Sequence, residues 1–126
     1  MIMLSIEDVL LIAKKLIERF GGTFGIRNKG LLESSLNNAF QTFDGEELYK
    51  TDVEKIAVIS YSIIRNHPMI DGNKRLGISV LLILCKLNNI ILEYTREEAV
   101  DLAVRIAEGS IDIEDVVEWI KKHEKK

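Results

Sequence analysis

The segment Leu76-Gly77-Ile78-Ser79-Val80-Leu81-Leu82-Ile83-Leu84-Cys85 constrains this chain more than any other. At 3.6 residues per turn its apolar side chains point to almost every side, and a helix apolar all round has to be enclosed by others. It is too short to cross a bilayer, which takes about 20 such residues. A buried helix is therefore expected at the centre of the fold, from near Asn73 to Asn88-Asn89. Directly before it stands His67-Pro68-Met69-Ile70-Asp71-Gly72-Asn73-Lys74-Arg75. That stretch brings a base, a carboxylate, a flexible backbone position and two cations to the helix N-terminus. Unpaired backbone N–H groups and the positive dipole end gather at the same point, which makes it a ready anion site.

The rest of the chain predicts an all-α fold of about six helices around that central one, in a single domain over residues 1–126. Pro68 is the only proline, and no β-type alternating runs occur. Ser5 with Asp8 opens a helix that stops at Gly21-Gly22, with Val9, Leu10, Ala13, Leu16 and Ile17 on one face. A short helix from about Lys29 to Phe40 carries Leu31, Leu32, Leu36 and Phe40 inward. Thr51-Asp52-Val53-Glu54 is a capping box, followed by Val53, Ile56, Ala57, Ser60, Ile63 and Ile64 at helical spacing. Thr95-Arg96-Glu97-Glu98 opens a helix ending at Gly109, and Asp112 caps a last one through Trp119 and Ile120. Lys121-Lys122-His123 reads as a solvated helix end.

Chain length and charge exclude several classes. A domain of 126 residues buries roughly two thirds of its unfolded surface, enough for a self-sufficient core. The net charge of −3 gives no footprint for nucleic acid, and no segment is suited to a membrane. A single cysteine excludes an internal disulfide framework, and Cys85 is expected to be a small core residue. Glu7, Asp8, Lys14, Lys15 and Glu18 interrupt the first 20 residues, so no signal peptide is expected and the cytoplasm is the default location.

Two connections exceed what a simple joint needs. Phe24-Gly25-Ile26-Arg27 lies in the first loop, and Gln41 to Lys50 forms a longer irregular segment with aromatics. The latter is either a surface loop whose aromatics tuck back onto the core or a flap over a site. Phe43 by itself is expected to tuck inward, and Glu46-Glu47 to be solvated.

The residue types around Asp71 suit phosphate chemistry. Imidazole titrates near neutral pH, so His67 can accept a proton from an attacking hydroxyl. Asp71 is a hard oxygen ligand of the kind Mg²⁺ takes alongside phosphates. Gly72 lets the backbone turn so that successive N–H groups face an anion. Asn73 either caps the helix or holds the shape of the loop. Arg75 can grip phosphate oxygens with two parallel bonds, and Lys74 adds a point charge. Taken singly, each has a bland reading as a loop histidine, a turn or a solvated pair. Their joint order before a buried helix favours a site.

His67-Pro68-x-x-Asp71-Gly72-Asn73-Lys74-Arg75 resembles the signature of the Fic/Doc superfamily in its Doc (death-on-curing) branch. Gly30-Leu31-Leu32-Glu33-Ser34, Phe43-x-Gly45-Glu46-Glu47-Leu48-Tyr49, Ile64-Arg65-Asn66 and Ala107-x-Gly109 resemble Doc-type proteins in matching order. The resemblance implies a small helical domain with His67 as base, Asp71 as metal ligand and Gly72, Asn73, Lys74 and Arg75 at the phosphates. Arg65, before the motif, is implied to touch substrate or nucleotide. Met69 stands where the family usually has Phe and is expected to pack inward and anchor the loop. Leu76 replaces a common Thr, and Lys74 stands where Fic adenylyl transferases generally carry Gly.

The same resemblance implies a toxin of a toxin–antitoxin pair that uses ATP and Mg²⁺. The implied reaction is phosphoryl transfer to a hydroxyl of a protein, elongation factor Tu, arresting translation. Adenylyl transfer and a catalytically silent Fic-like binding module are the alternatives. The implied partner is a small antitoxin whose disordered tail folds onto an apolar groove. An internal inhibitor of the Ser/Thr-x-x-x-Glu-Gly/Asn type is not expected. Its nearest match, Val104 to Gly109, has Val at the hydroxyl position, and Glu108-Gly109 reads as a helix end with a C-cap glycine.

Overall fold

In the computed structural model residues 1–125 are described. Among them are six α-helices: α1 (Ile6–Phe20), α2 (Lys29–Asn37), α3 (Asp52–Asn66), α4 (Asn73–Leu87), α5 (Arg96–Glu108) and α6 (Ile113–His123). Local chemistry starts most of them. Ser5 with Asp8, Thr51 with Glu54, Thr95 with Glu98 and Asp112 with Asp115 close reciprocal capping boxes on α1, α3, α5 and α6. The Asn28 side chain accepts the Leu31 N–H at the start of α2 (3.0 Å). Only α4 begins without a side-chain cap among the described helices. Its N-cap is Gly72, in the left-handed region at φ 79°, ψ 18°.

The centre is shared by α3 and α4. Helix α4 packs on α1, α3 and α5, while α3 packs on α2, α4, α5 and α6. Ile56, Ile59, Ile63 and Ile64 of α3 meet Leu76, Val80, Leu81 and Leu84 of α4 in one buried cluster, with Cys85 enclosed as expected. The two axes come close at Gly77, whose carbonyl accepts the buried Ser60 hydroxyl at 2.8 Å. No helix is long and apolar enough to cross a membrane among the described residues.

Three expectations are corrected. After Asn37 the chain tightens into a 3₁₀ turn (Asn38–Phe40), which buries Ala39 and turns Phe40 outward to 41% exposure. The segment from Gln41 is a β-hairpin of β1 (Thr42–Phe43) and β2 (Glu46–Glu47). It turns through Asp44 and Gly45, both at positive φ as a two-residue hairpin loop requires. This hairpin is fastened at its base, where the buried Lys55 amine donates to the Tyr49 carbonyl (2.5 Å) and pairs with Glu47 (3.3 Å). Its tip has nothing beneath it, so Phe43 is 73% exposed instead of tucked inward. Lastly, His123 is no solvated end: its ring stacks on Trp119 (centroids 4.1 Å apart) and bonds Glu98 Oε2 at 2.7 Å. The chain beyond it pairs with the connector between α4 and α5, with Glu124 opposite Leu92. Lys121 and Lys122 are exposed as expected.

Candidate active site

The loop between α3 and α4 is held from both sides. Its first residue, His67, caps α3 in the left-handed conformation at φ 49°, ψ 58°. That region costs a residue with a Cβ about 1 kcal/mol, although His tolerates it better than most. A segment of the first loop lies alongside and receives the exposed carbonyls. Arg27 Nη2 donates to the Asn66 carbonyl (2.7 Å) and Arg27 Nε to that of His67 (2.6 Å). The backbone N–H groups of Arg27 and Asn28 both donate to the Pro68 carbonyl, at 2.8 and 3.1 Å. The Ile70 N–H donates to the Gly25 carbonyl (2.9 Å), and Ile26 faces Met69 in an antiparallel bridge.

From the core side, Met69 is only 2% exposed and so anchors the loop inward as expected. The buried Asn73 carboxamide closes around it, accepting the Met69 N–H and donating to the Met69 carbonyl, both at 3.0 Å. Of the two readings of Asn73, holding the loop is the one the structure shows, since the N-cap position falls to Gly72. Asp71 is oriented by a backbone group, its Oδ2 accepting the Thr23 N–H at 2.8 Å.

What remains on the outside is the chemistry. His67 at the end of α3, Asp71 in the loop, and Lys74 and Arg75 in the first turn of α4 are all exposed. The His67 ring and the Lys74 amine have no hydrogen-bond partner among the described residues. The Arg75 guanidinium lies over the Phe20 ring at 4.6 Å from its centroid, with Arg19 at 5.3 Å from the same ring. Because no side chain caps α4, its first N–H groups stay available beside Lys74 and Arg75. Cations, free N–H groups and the dipole end converge there, an arrangement suited to phosphate.

Arg65 is held at the end of α5. Its Nη1 donates to the carbonyls of Ala107 (3.0 Å) and Ile106 (3.4 Å), capping α5 where a cation is favoured by the helix dipole. Those bonds use Nη1 alone, which leaves Nε and Nη2 of this exposed residue as donors. Glu108 and Gly109 form the helix end expected of them, Gly109 being left-handed at φ 75°. No group of three or more His, Cys, Asp or Glu residues is arranged to hold a metal among the described residues. A lone Asp71 fits Mg²⁺ that shares its shell with phosphate oxygens and water, and would not suit a metal needing a full protein cage. Two surface hollows lie away from the loop. One, of about 240 Å³, is lined by Leu82, Ile90, Leu92 and Tyr94, and the other, of about 480 Å³, lies between α5 and α6. The first has Lys86 at its edge, and the second sets Arg105 and Lys122 among Asp101, Asp115 and Glu118.

Sequence reading missed Thr23, Arg27 and Phe20 as parts of this site. The only signal for the first two was that the loop from Phe24 to Arg27 is richer than a joint requires. Phe20 had none.

Comparison with known proteins covers the loop and the helices on either side of it. The model of the Fic/DOC family matches residues 3–85, from before α1 through most of α4. The protein named Toxin Doc from Mycolicibacterium smegmatis is 28% identical over 99 residues, covering 77% of this chain and 76% of that protein. A match of that extent, with the His67–Arg75 loop seated between the two central helices, makes this chain a member of the Fic/DOC family, in its Doc branch.

Proposed function

We propose that this protein is the toxin of a toxin–antitoxin pair and transfers the γ-phosphoryl group of ATP to a hydroxyl of elongation factor Tu. The observation that supports this most is the start of α4, uncapped by any side chain and carrying Lys74 and Arg75, with the exposed His67 at the head of the loop that leads into it. In this reading His67 takes the proton of the substrate hydroxyl as its oxygen forms a bond to the γ-phosphorus. The bond from that phosphorus to the β–γ bridging oxygen breaks, and ADP leaves with the electron pair. Lys74, Arg75 and the first N–H groups of α4 stabilise charge on the group in transit. Mg²⁺ on Asp71 would neutralise phosphate charge when bound. Lys74 favours γ over α transfer, because its side chain occupies the place where a glycine would let backbone N–H groups approach an attacked α-phosphate. The partner is a small antitoxin with a disordered inhibitory tail, and the site of action is the cytoplasm, where translation proceeds.

The test is label transfer to elongation factor Tu from γ-labelled and α-labelled ATP in parallel. Label is expected from the γ position alone. His67→Ala should lower the rate by about 10²–10⁴-fold, and Asp71→Asn should lower it while leaving the fold intact. Transfer of α-label, or a mass gain matching AMP, would overturn the phosphoryl reading. Binding of ATP with Mg²⁺ in a calorimeter, without turnover, would mark a silent binding module.

A further inference from the structure

The six helices end differently, and α3 ends unlike the rest. In each of the other five the N–H of the C-cap residue bonds back to a carbonyl of its own helix. For α3 no such bond is present, and its C-cap is His67, left-handed without being glycine. The last carbonyls of this helix are received by a side chain some 40 residues earlier in the chain. Arg27 spans the carbonyls of Asn66 and His67 with Nε and Nη2, two donors on one edge of a planar fork. A cation at a helix C-terminus is also favoured by the dipole.

We infer that Arg27 is a positioning residue for His67. By holding both carbonyls it keeps the peptide planes on either side of His67 in the left-handed turn, and so fixes the direction in which the imidazole leaves the backbone. The other bonds to the loop fall on Pro68, Met69, Ile70 and Asp71, so without the fork none holds the two peptide planes that flank His67. Relaxation to an ordinary negative φ would then redirect the ring. Lysine cannot replace it, since one amine on a flexible stem does not hold two adjacent carbonyls in fixed geometry. The inference rests on the reading of His67 as the base.

Two kinds of measurement separate it from a general loss of stability. The first is a double-mutant cycle in phosphoryl transfer from ATP to elongation factor Tu. Arg27→Ala should lower kcat by about 100-fold, the loss that follows displacing a reacting group by about 1 Å, with KM for ATP little changed. In a His67→Ala background the same substitution should cost nothing further. The second is the ¹³Cα and ¹³Cβ chemical shifts of His67, which report its backbone conformation whether or not the protein is active. They should move away from left-handed values in Arg27→Ala, and partly so in Arg27→Lys. If Arg27→Ala does not fold, Arg27→Lys carries both tests, with a smaller fall in kcat in the same direction. Unchanged His67 shifts, or a loss that adds fully to that of His67→Ala, would overturn the inference. A wild-type protein that transfers no phosphoryl group would sink the proposed function, and the His67 shifts alone would then decide whether Arg27 sets that residue's backbone.

Discussion

Replacing Gly77 by alanine tests how tightly the two central helices are joined. A Cβ at Gly77 would lie 2.4 Å from Cγ1 and 2.8 Å from Cδ1 of Ile64, and 3.1 Å from the Ser60 carbonyl oxygen. Ile64 is fully buried, so its branch has no free space to swing into, and the carbonyl belongs to a helix backbone. Overpacking of this kind costs about 2–3 kcal/mol. Alanine in a helix interior recovers about 1 kcal/mol relative to glycine, so the net loss should be about 1–2 kcal/mol. For a chain of this length that corresponds to a fall in Tm of about 4–8 °C, measured by thermal unfolding followed by circular dichroism. The cause is checked by adding Ile64→Ala. That change alone should cost about 2–5 kcal/mol, and clearly less when combined with Gly77→Ala, because the new methyl group fills part of the space vacated. A rise in Tm for Gly77→Ala, or full additivity of the two changes, would refute the argument.

Two further outcomes follow from the geometry. Asn73→Ala removes both partners of the buried Met69 peptide groups and should cost about 2 kcal/mol, read as a lower urea midpoint with an unchanged slope; an unmoved midpoint counts against the bridge. At the far end of the fold, Glu98 is held down to about 2 from the ordinary 4.5, first by the His123 ring and then by the Thr95 N–H. Since the folded value is the lower one, its contribution is complete above about pH 4.5 and is lost as the pH falls toward 2. The stability difference between wild type and Glu98→Gln should therefore shrink across that window, and a constant difference would show that the contact does not titrate.

The features legible in the sequence are those written within one turn of chain. Ser5, Thr51, Thr95 and Asp112 announce their helices because each capping bond joins residues three apart. The core placement of Cys85 was also readable, from the apolar run around it, and the inward anchor at Met69 from the resemblance of its loop to the family signature. Features that depend on a distant partner were not. Phe40 and Phe43 carry the apolar character of core residues, yet the 3₁₀ turn faces Phe40 outward and the hairpin, fastened at Lys55, leaves Phe43 outside. His123 looks like one more polar residue in a charged tail until Glu98 and Trp119 are placed against it. For Arg65 the resemblance implied a substrate or nucleotide contact, and only the end of α5 shows the carbonyls it holds. The His67–Arg75 stretch announced its chemistry, whereas the first-loop segment that braces it left almost no trace, because most of that bracing is done by backbone atoms.

That last property has a consequence for how the sequence can drift. Four of the bonds that brace the loop use the peptide groups of Thr23, Gly25, Arg27 and Asn28, which every residue but proline can supply in full. Exchanging side chains at Thr23, Phe24 or Ile26 leaves those donors and acceptors in place. Adding or deleting one residue between Thr23 and Asn28 does not, because the Thr23 N–H would no longer meet Asp71 while Asn28 still met Pro68. The first loop should accordingly accept many substitutions and almost no change of length, the reverse of what is usual for an exposed connection.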